Sequence, residues 1–289
     1  MNVTSVDWLP SVFIGLMGLS FLIYAILDGY DLGVGVLLPL DNPQQRDTMI
    51  YSIGPFWDAN ETWLVMAIGL LLIAFPKAHS IIFQALYLPT ALMLAGLILR
   101  GVSFDFRTKA PITDKHKWDY AFKFGSLLAT LTQGYMLGRY VTSFEDSWLS
   151  IGFSALSAVC VTAGYCFIGA AWLVMKTEGE LQRRAANWAK ITNVLMAVGI
   201  IAVCLTNLLI DQQIMDKWLG GMQVLILIPI TLLLAFTFIT VHLYLDKVPM
   251  ADDIGCWFPF LAAIILFIMC FCGLAYSFYP YIVPFKMTI

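Results

Sequence analysis

Eight stretches of mainly apolar residues, each long enough to span a bilayer, follow one another along this chain of 289 residues with only short loops between them. A helix needs about 20 such residues to cross a hydrocarbon core. Inside that core every backbone N–H and C=O must be satisfied within the protein, which continuous apolar runs achieve as helices. The spans are predicted at about 8–38, 50–75, 79–105, 118–142, 150–175, 188–210, 222–245 and 255–279. The expected fold class is therefore all-α and polytopic. Composition agrees, since 12% of residues are charged and 60% hydrophobic, against about 25% charged in soluble domains. The first run, 8–27, has no basic segment before it and no convincing small-residue cleavage site, so it reads as a retained helix.

Two acidic clusters interrupt the first two spans: Asp28-Gly29-Tyr30-Asp31 and Trp57-Asp58-Ala59-Asn60-Glu61. An aspartate at mid-bilayer costs about 2.5–3.5 kcal/mol on insertion scales, so such groups face a protein interior, a partner or a water path. Proton or ion handling is the first function to consider. Asp28/Asp31 and Asp58/Glu61 are each spaced i, i+3, which puts each pair on one helix face. Gly29 and Gly33 form a small-xxx-small pair that lets another helix approach closely.

Basic residues set the orientation. Grouping the N-terminus with every second loop leaves Lys77, Arg139, Lys217 and Lys286 on one side. The other twelve lysines and arginines, from Arg46 through Arg107, Lys176 and Arg184 to Lys247, fall on the opposite side. This bias predicts an outer N-terminus, with the 106–117 and 176–188 loops in the cytoplasm. Asp28, Asp31, Asp58, Glu61, Arg100 and Asp105 then share the cytoplasmic half at similar depth. Asp31, Arg100 and Asp105 also fit a blander role as interfacial residues that cap helices or snorkel, and Asp58 that of a structural ion-pair partner. Arg100 is placed to keep a neighbouring carboxylate ionised.

Several chemistries find no footing. A net charge of −3, dispersed along the chain, does not suggest nucleic-acid binding. The six cysteines lie in or beside apolar runs without a CxxC spacing, and Cys270 and Cys272 point to different sides of a helix. His79, His116 and His242 share no helix face, so they form no paired haem ligands. Phosphate loops, nucleophile elbows and HExxH motifs are absent from the sequence. The residues themselves leave proton handling, ion coupling in a secondary transporter that uses the same carboxylates, or a purely structural role.

The two acidic motifs carry a resemblance. Asp28-Gly29-Tyr30-Asp31-Leu32-Gly33-Val34-Gly35 and Pro55-Phe56-Trp57-Asp58-Ala59-Asn60-Glu61-Thr62-Trp63-Leu64 resemble subunit II of the cytochrome bd-type quinol oxidases, most closely the shorter, cyanide-insensitive branch. Leu99-Arg100-Gly101-Val102-Ser103-Phe104-Asp105-Phe106-Arg107, Trp172 to Gly179 and Tyr279 to Pro284 extend the match along the whole chain. The resemblance implies two four-helix bundles, 1–145 and 146–289, in a subunit of the bacterial cytoplasmic (inner) membrane. It implies no cofactor bound directly here: b-type haems and haem d belong to a partner, subunit I, which oxidises quinol and reduces dioxygen to water. Some members add a small single-helix accessory subunit or a structural quinone. The subunit is expected to stabilise its partner and to supply protons through Asp58, Asp28, Glu61 and Asp105, with Arg100 beside them. Trp57, Asn60, Trp63 and Asp31 are expected to line the cavity. Two positions depart from the family pattern: Ala59 stands where glycine is usual, and relatives continue past the final Val283-Pro284 segment into a ninth helix.

Overall fold

The computed structural model describes residues 8–111, 114–210, 212–221, 223–248 and 255–289. The helices are α1 (Leu9–Leu37), α2 (Pro43–Ile53), α3 (Trp57–Ala74), α4 (Pro76–Ala85), α5 (Tyr87–Lys109) and α6 (Lys115–Val141). They continue as α7 (Trp148–Lys176), α8 (Gly179–Ile210), α9 (Gln212–Leu219), α10 (Gln223–Leu245) and α11 (Phe258–Phe278). A short antiparallel hairpin, β1 (Tyr281–Val283) and β2 (Met287–Thr288), follows with Tyr281 opposite Thr288.

Eight of these helices correspond to the expected spans. Seven are long and apolar enough to cross a membrane, and α6 is the exception. Its interior carries Ser126, Thr130, Thr132, Gln133 and Gly134, and it packs against α5 on one side and α7 on the other. Two expected spans are divided. The 50–75 run breaks at Gly54-Pro55 into α2 and α3, because proline has no N–H to continue the ladder and restricts the residue before it. The 79–105 run starts within α4, which opens on Pro76 and ends at Ala85, leaving Leu86 between it and α5.

Local chemistry sets several ends. The Asn42 side chain accepts from the Gln45 N–H at 3.1 Å at the start of α2, and Ser147 does the same for Ser150 at α7. Gly179, at φ +64, allows the abrupt turn from α7 into α8.

Helix α7 is the central element, buried along most of its length and packed against α1, α6, α8 and α11. Its crossing with α1 is held close by Gly33 and Gly169. A Cβ on Gly33 would collide with the Tyr165 carbonyl oxygen, and one on Gly169 would lie 2.6 Å from the Val34 nitrogen. The spacing read as small-xxx-small therefore serves an α1–α7 contact. Tyr30 stacks on Trp172 of α7 at 4.4 Å, and Phe260 of α11 meets both rings edge-on. At the other end, the hairpin residues Ile282 and Val283 pack against Leu71, Phe75 and Leu86. Tyr140 donates to the Ile282 carbonyl at 2.8 Å and Ser143 to that of Pro284 at 3.0 Å.

Candidate functional site

Helices α1, α3 and α5 bring four ionisable groups and one amide together. Arg100 is fully buried, and its Nη1 donates to Asp28 Oδ1 at 2.7 Å and to Glu61 Oε1 at 3.1 Å. Asp31 Oδ2 stands 3.9 Å from Nη2 and accepts from Asn60 Nδ2 at 2.7 Å. The same Asn60 amide reaches the Tyr30 hydroxyl at 3.1 Å, tying the second acidic motif to the first. Trp57 covers the guanidinium, its ring centre 5.8 Å from Arg100 Cζ, a favourable cation–π arrangement. Asp28 and Asp31 are wholly buried, whereas the Glu61 side chain is 28% exposed. Glu61 therefore connects the buried group to the surface.

Charge counting constrains this cluster. Three carboxylates share one guanidinium, and a buried charge without a counter-charge is strongly unfavourable. Arg100 Nε and Nη2, Asp28 Oδ2 and Asp31 Oδ1 are buried and make no hydrogen bond, so the donors and acceptors have capacity to regroup. The arrangement is suited to holding and passing a proton.

A second ionic node lies one to two turns further along α5 and α6. Asp119, fully buried, receives Arg107 Nε at 2.5 Å and faces Arg46 Nε at 3.0 Å. Arg107 Nη2 also reaches Asp47 at 2.5 Å. These contacts fasten α2 to the ends of α5 and α6. In the loop before α2, Asp41 is gripped by Arg184, from the start of α8, with two hydrogen bonds of 3.1 and 3.2 Å that hold its carboxyl below the usual carboxylate range.

The structure sorts the residues singled out from sequence. Asp28, Asp31, Asn60, Glu61, Arg100 and Trp57 converge on one site. Asp58 and Asp105 do not: both are exposed, Asp58 in the first turn of α3 and Asp105 on the outer side of α5. Trp63 is half-buried further along α3. Helix α3 sits at the edge of the bundle, and its strip of fully buried residues is confined to Asn60, Ala67 and Leu71. The i, i+3 pair Asp58/Glu61 thus straddles the border of that strip, with Glu61 turned in and Asp58 out. His79, stacked on Phe83 in α4, lies on a different element from His116 in α6 and His242 in α10.

Sequence reasoning does not find Asp119. It stands among Lys115, His116, Lys117 and Lys123, a stretch that reads as the flank of a loop. Its one signal is the onset of apolar periodicity beside it at Trp118 and Phe122. Ile112 and Thr113 of the expected 106–117 loop lie outside the described residues.

Comparison with known proteins gives a consistent result. The sequence profile of the family described as cytochrome bd terminal oxidase subunit II matches residues 9–289. The chain is 30% identical over 206 residues to cytochrome bd ubiquinol oxidase subunit 2 of Bacillus subtilis, covering 65% of this chain and 59% of that protein. It is 33% identical over 193 residues to cytochrome bd-I ubiquinol oxidase subunit 2 of Escherichia coli, covering 61% and 51%. The matched part thus spans little more than half the length of these relatives. Its fold is similar to a chain in the structure of bd oxidase from Geobacillus thermodenitrificans, with a TM-score of 0.76 over 97% of this chain and 87% of the other. At 17% identity that likeness concerns the fold.

Proposed function

Because this chain belongs to the cytochrome bd terminal oxidase subunit II family, we propose that it is the haem-free membrane subunit of a quinol oxidase, supporting a haem-bearing subunit I and supplying protons for the reduction of dioxygen. In this reading b-type haems and haem d reside in the partner, and the chain sits in the bacterial inner membrane with its N-terminus outside. Residues 1–145 and 146–289 act as two bundles joined through α7.

The observation that carries the proton role is the cluster around Arg100. Three carboxylates on one guanidinium favour a bound proton, and Glu61 reaches the surface from that cluster. Asp58, one turn away, extends the acidic path onto the outer face of α3. That face also exposes Val65, Met66 and Ile73. A carboxylate bordering such a surface is costly against lipid, which favours the partner subunit as its neighbour. A proton taken up at Asp58 would pass to Glu61 and then to the Arg100-bound pair, with the guanidinium exchanging carboxylates as the charge moves.

The test uses the assembled oxidase. Asp58→Asn and Glu61→Gln are expected to slow quinol oxidase turnover at least several-fold while haem absorbance per complex is unchanged. Wild-type turnover in both variants would exclude the path. An idle scaffold would tolerate both isosteres.

A further inference from the structure

The three carboxyls around Arg100 are not equivalent, and their distances and exposure tell them apart. Asp28 takes a hydrogen bond from Arg100 Nη1 at 2.7 Å, so direct contact balances its negative charge. Glu61 shares that nitrogen at 3.1 Å and keeps 28% of its side chain exposed, so water also supports its charge. Asp31 has neither support. Its side chain is wholly buried and stands 3.9 Å from Nη2, a nitrogen that makes no hydrogen bond. At equal dielectric the attraction over 3.9 Å is about two-thirds of that over 2.7 Å, and ionised Asp28 and Glu61 oppose it. An ionised Asp31 is thus a buried charge with no bonded counter-ion, whereas a protonated Asp31 is a neutral hydroxyl, far less costly to bury.

The hydrogen bonds around Asp31 suit the neutral acid. Its Oδ2 accepts from Asn60 Nδ2 at 2.7 Å, as the carbonyl oxygen of an acid does. The same amide nitrogen meets the Tyr30 hydroxyl at 3.1 Å and the Leu27 carbonyl at 3.5 Å. Both amide hydrogens are therefore committed to α1, and they hold Asp31 with Oδ2 toward α3. Oδ1 is buried and carries no hydrogen bond, as do Arg100 Nε and Nη2, so the guanidinium keeps donors in reserve beside it.

We propose that Asp31 is the carboxyl that holds the proton of this cluster between turnovers, with Arg100 as the charge that relieves it when the proton leaves. This rests on the proton-handling reading of the cluster. On release the proton departs from Oδ1 toward the oxygen-reducing partner, and Asp31 becomes anionic. Arg100 Nη2 then closes the 3.9 Å gap and balances the new charge. A proton arriving through Glu61 restores the acid and returns Arg100 to Asp28 and Glu61. The charged and titratable groups facing Asp31 are Asp28 and Tyr30 on α1, Glu61 on α3 and Arg100 on α5. Helix α7 brings Trp172 against the Tyr30 ring and Tyr165 against Gly29, α11 brings Phe260 edge-on to Tyr30, and α6 brings Lys123 to the Leu38 carbonyl two turns on.

Asparagine is the isostere of a protonated aspartate, which makes the assignment testable in the assembled oxidase. The wild-type minus Asp31→Asn infrared spectrum is expected to show a carboxylic acid C=O band that shifts in D2O. Asp31→Asn is expected to melt with the wild type and keep its haem absorbance, since a neutral amide replaces a neutral acid, but to turn over at least several-fold more slowly. Asp28→Asn is expected to lower the melting temperature, because it takes the bonded counter-charge from Arg100. A difference spectrum with no acid band overturns the assignment. So does wild-type turnover in Asp31→Asn, or a larger melting loss there than in Asp28→Asn. If any of these occurs while Glu61→Gln slows turnover, the role of Asp31 falls and the proton reading stands. If Glu61→Gln, Asp58→Asn and Asp31→Asn all turn over normally, both fall. Should Asp31→Asn fail to assemble, Asn60→Ala decides: loss of the amide hydrogen bond moves an acid C=O band to higher frequency if Asp31 is protonated, and an unchanged acid region overturns the proposal.

Discussion

Removing the charge of Arg100 while keeping its bulk isolates the energetics of the buried cluster. Arg100 has no exposed surface and stands 2.7 Å from Asp28, 3.1 Å from Glu61 and 3.9 Å from Asp31. Arg100→Met leaves an apolar side chain among three carboxylates. At an effective dielectric of about 20 the 2.7 Å pair alone represents ~6 kcal/mol of attraction. The variant does not lose that much, because Asp28 escapes isolation by binding a proton. Neutralising a carboxyl of ordinary pKa, about 3.9, costs ~4 kcal/mol at pH 7, which caps the loss at that residue. The expected destabilisation is about 3–5 kcal/mol, the range for breaking a buried pair from one side. The folded variant then holds a proton that its unfolded chain releases above about pH 4. Its stability therefore falls as pH rises, by ~1.4 kcal/mol per unit, and its deficit is ~3 kcal/mol smaller at pH 5 than at pH 7. Thermal unfolding of the detergent-solubilised complex at both pH values measures this. Arg100→Met combined with Asp28→Asn is expected to recover part of the loss, since no aspartate remains there to be neutralised. A deficit below ~1 kcal/mol at pH 7, or a double variant no better than the single there, would refute the account.

Two further outcomes follow from geometry. Gly33→Ala places a methyl group against the Tyr165 carbonyl and is expected to cost about 1–3 kcal/mol or more by forcing α1 from α7, whereas Gly15→Ala meets nothing within 4 Å. Equal melting temperatures for the two variants would contradict the close crossing. Asp41 titrates below the ordinary range because Arg184 binds its ionised form, so the pair stabilises the fold above the unfolded pKa and is lost as pH falls through the depressed folded value. Arg184→Gln is expected to raise the Asp41 midpoint, followed by NMR, toward the ordinary carboxylate range. An unchanged midpoint would show that the pair does not persist in solution.

The architecture was legible because apolar length dictates spanning helices, and the charge pattern gave all the acids one depth. Asp28, Asp31 and Arg100 could be grouped on those grounds. Their distances could not, since these depend on how α1, α3 and α5 rotate about their own axes. Asp58 shows the consequence. Spacing puts it with Glu61, but only packing reveals that α3 is an edge helix whose buried strip begins at Asn60. Asp119 was hidden for the opposite reason: its neighbours are charged, and burial arises from Arg46 and Arg107 arriving on other helices. Tyr165 donates to Gln133 at 2.9 Å and Gln133 to Tyr24 at 2.7 Å, joining α7, α6 and α1 through residues more than thirty positions apart, each of which alone reads as an ordinary membrane-helix residue.

Helix α6 bears on how such a chain is made. Alone among the eight long helices it falls short of the hydropathy of a self-sufficient span, and its serine, threonine and glutamine side chains find their partners on α7, on α1 or on its own backbone. A segment of this kind gains little by leaving the translocon for lipid unaccompanied. Integration of α6 is therefore tied to α5, with which it emerges as a hairpin, and is completed only when α7 has been synthesised. Biogenesis would then have a waiting step in the middle of the chain, set by the same polar seam that the finished protein keeps at its centre.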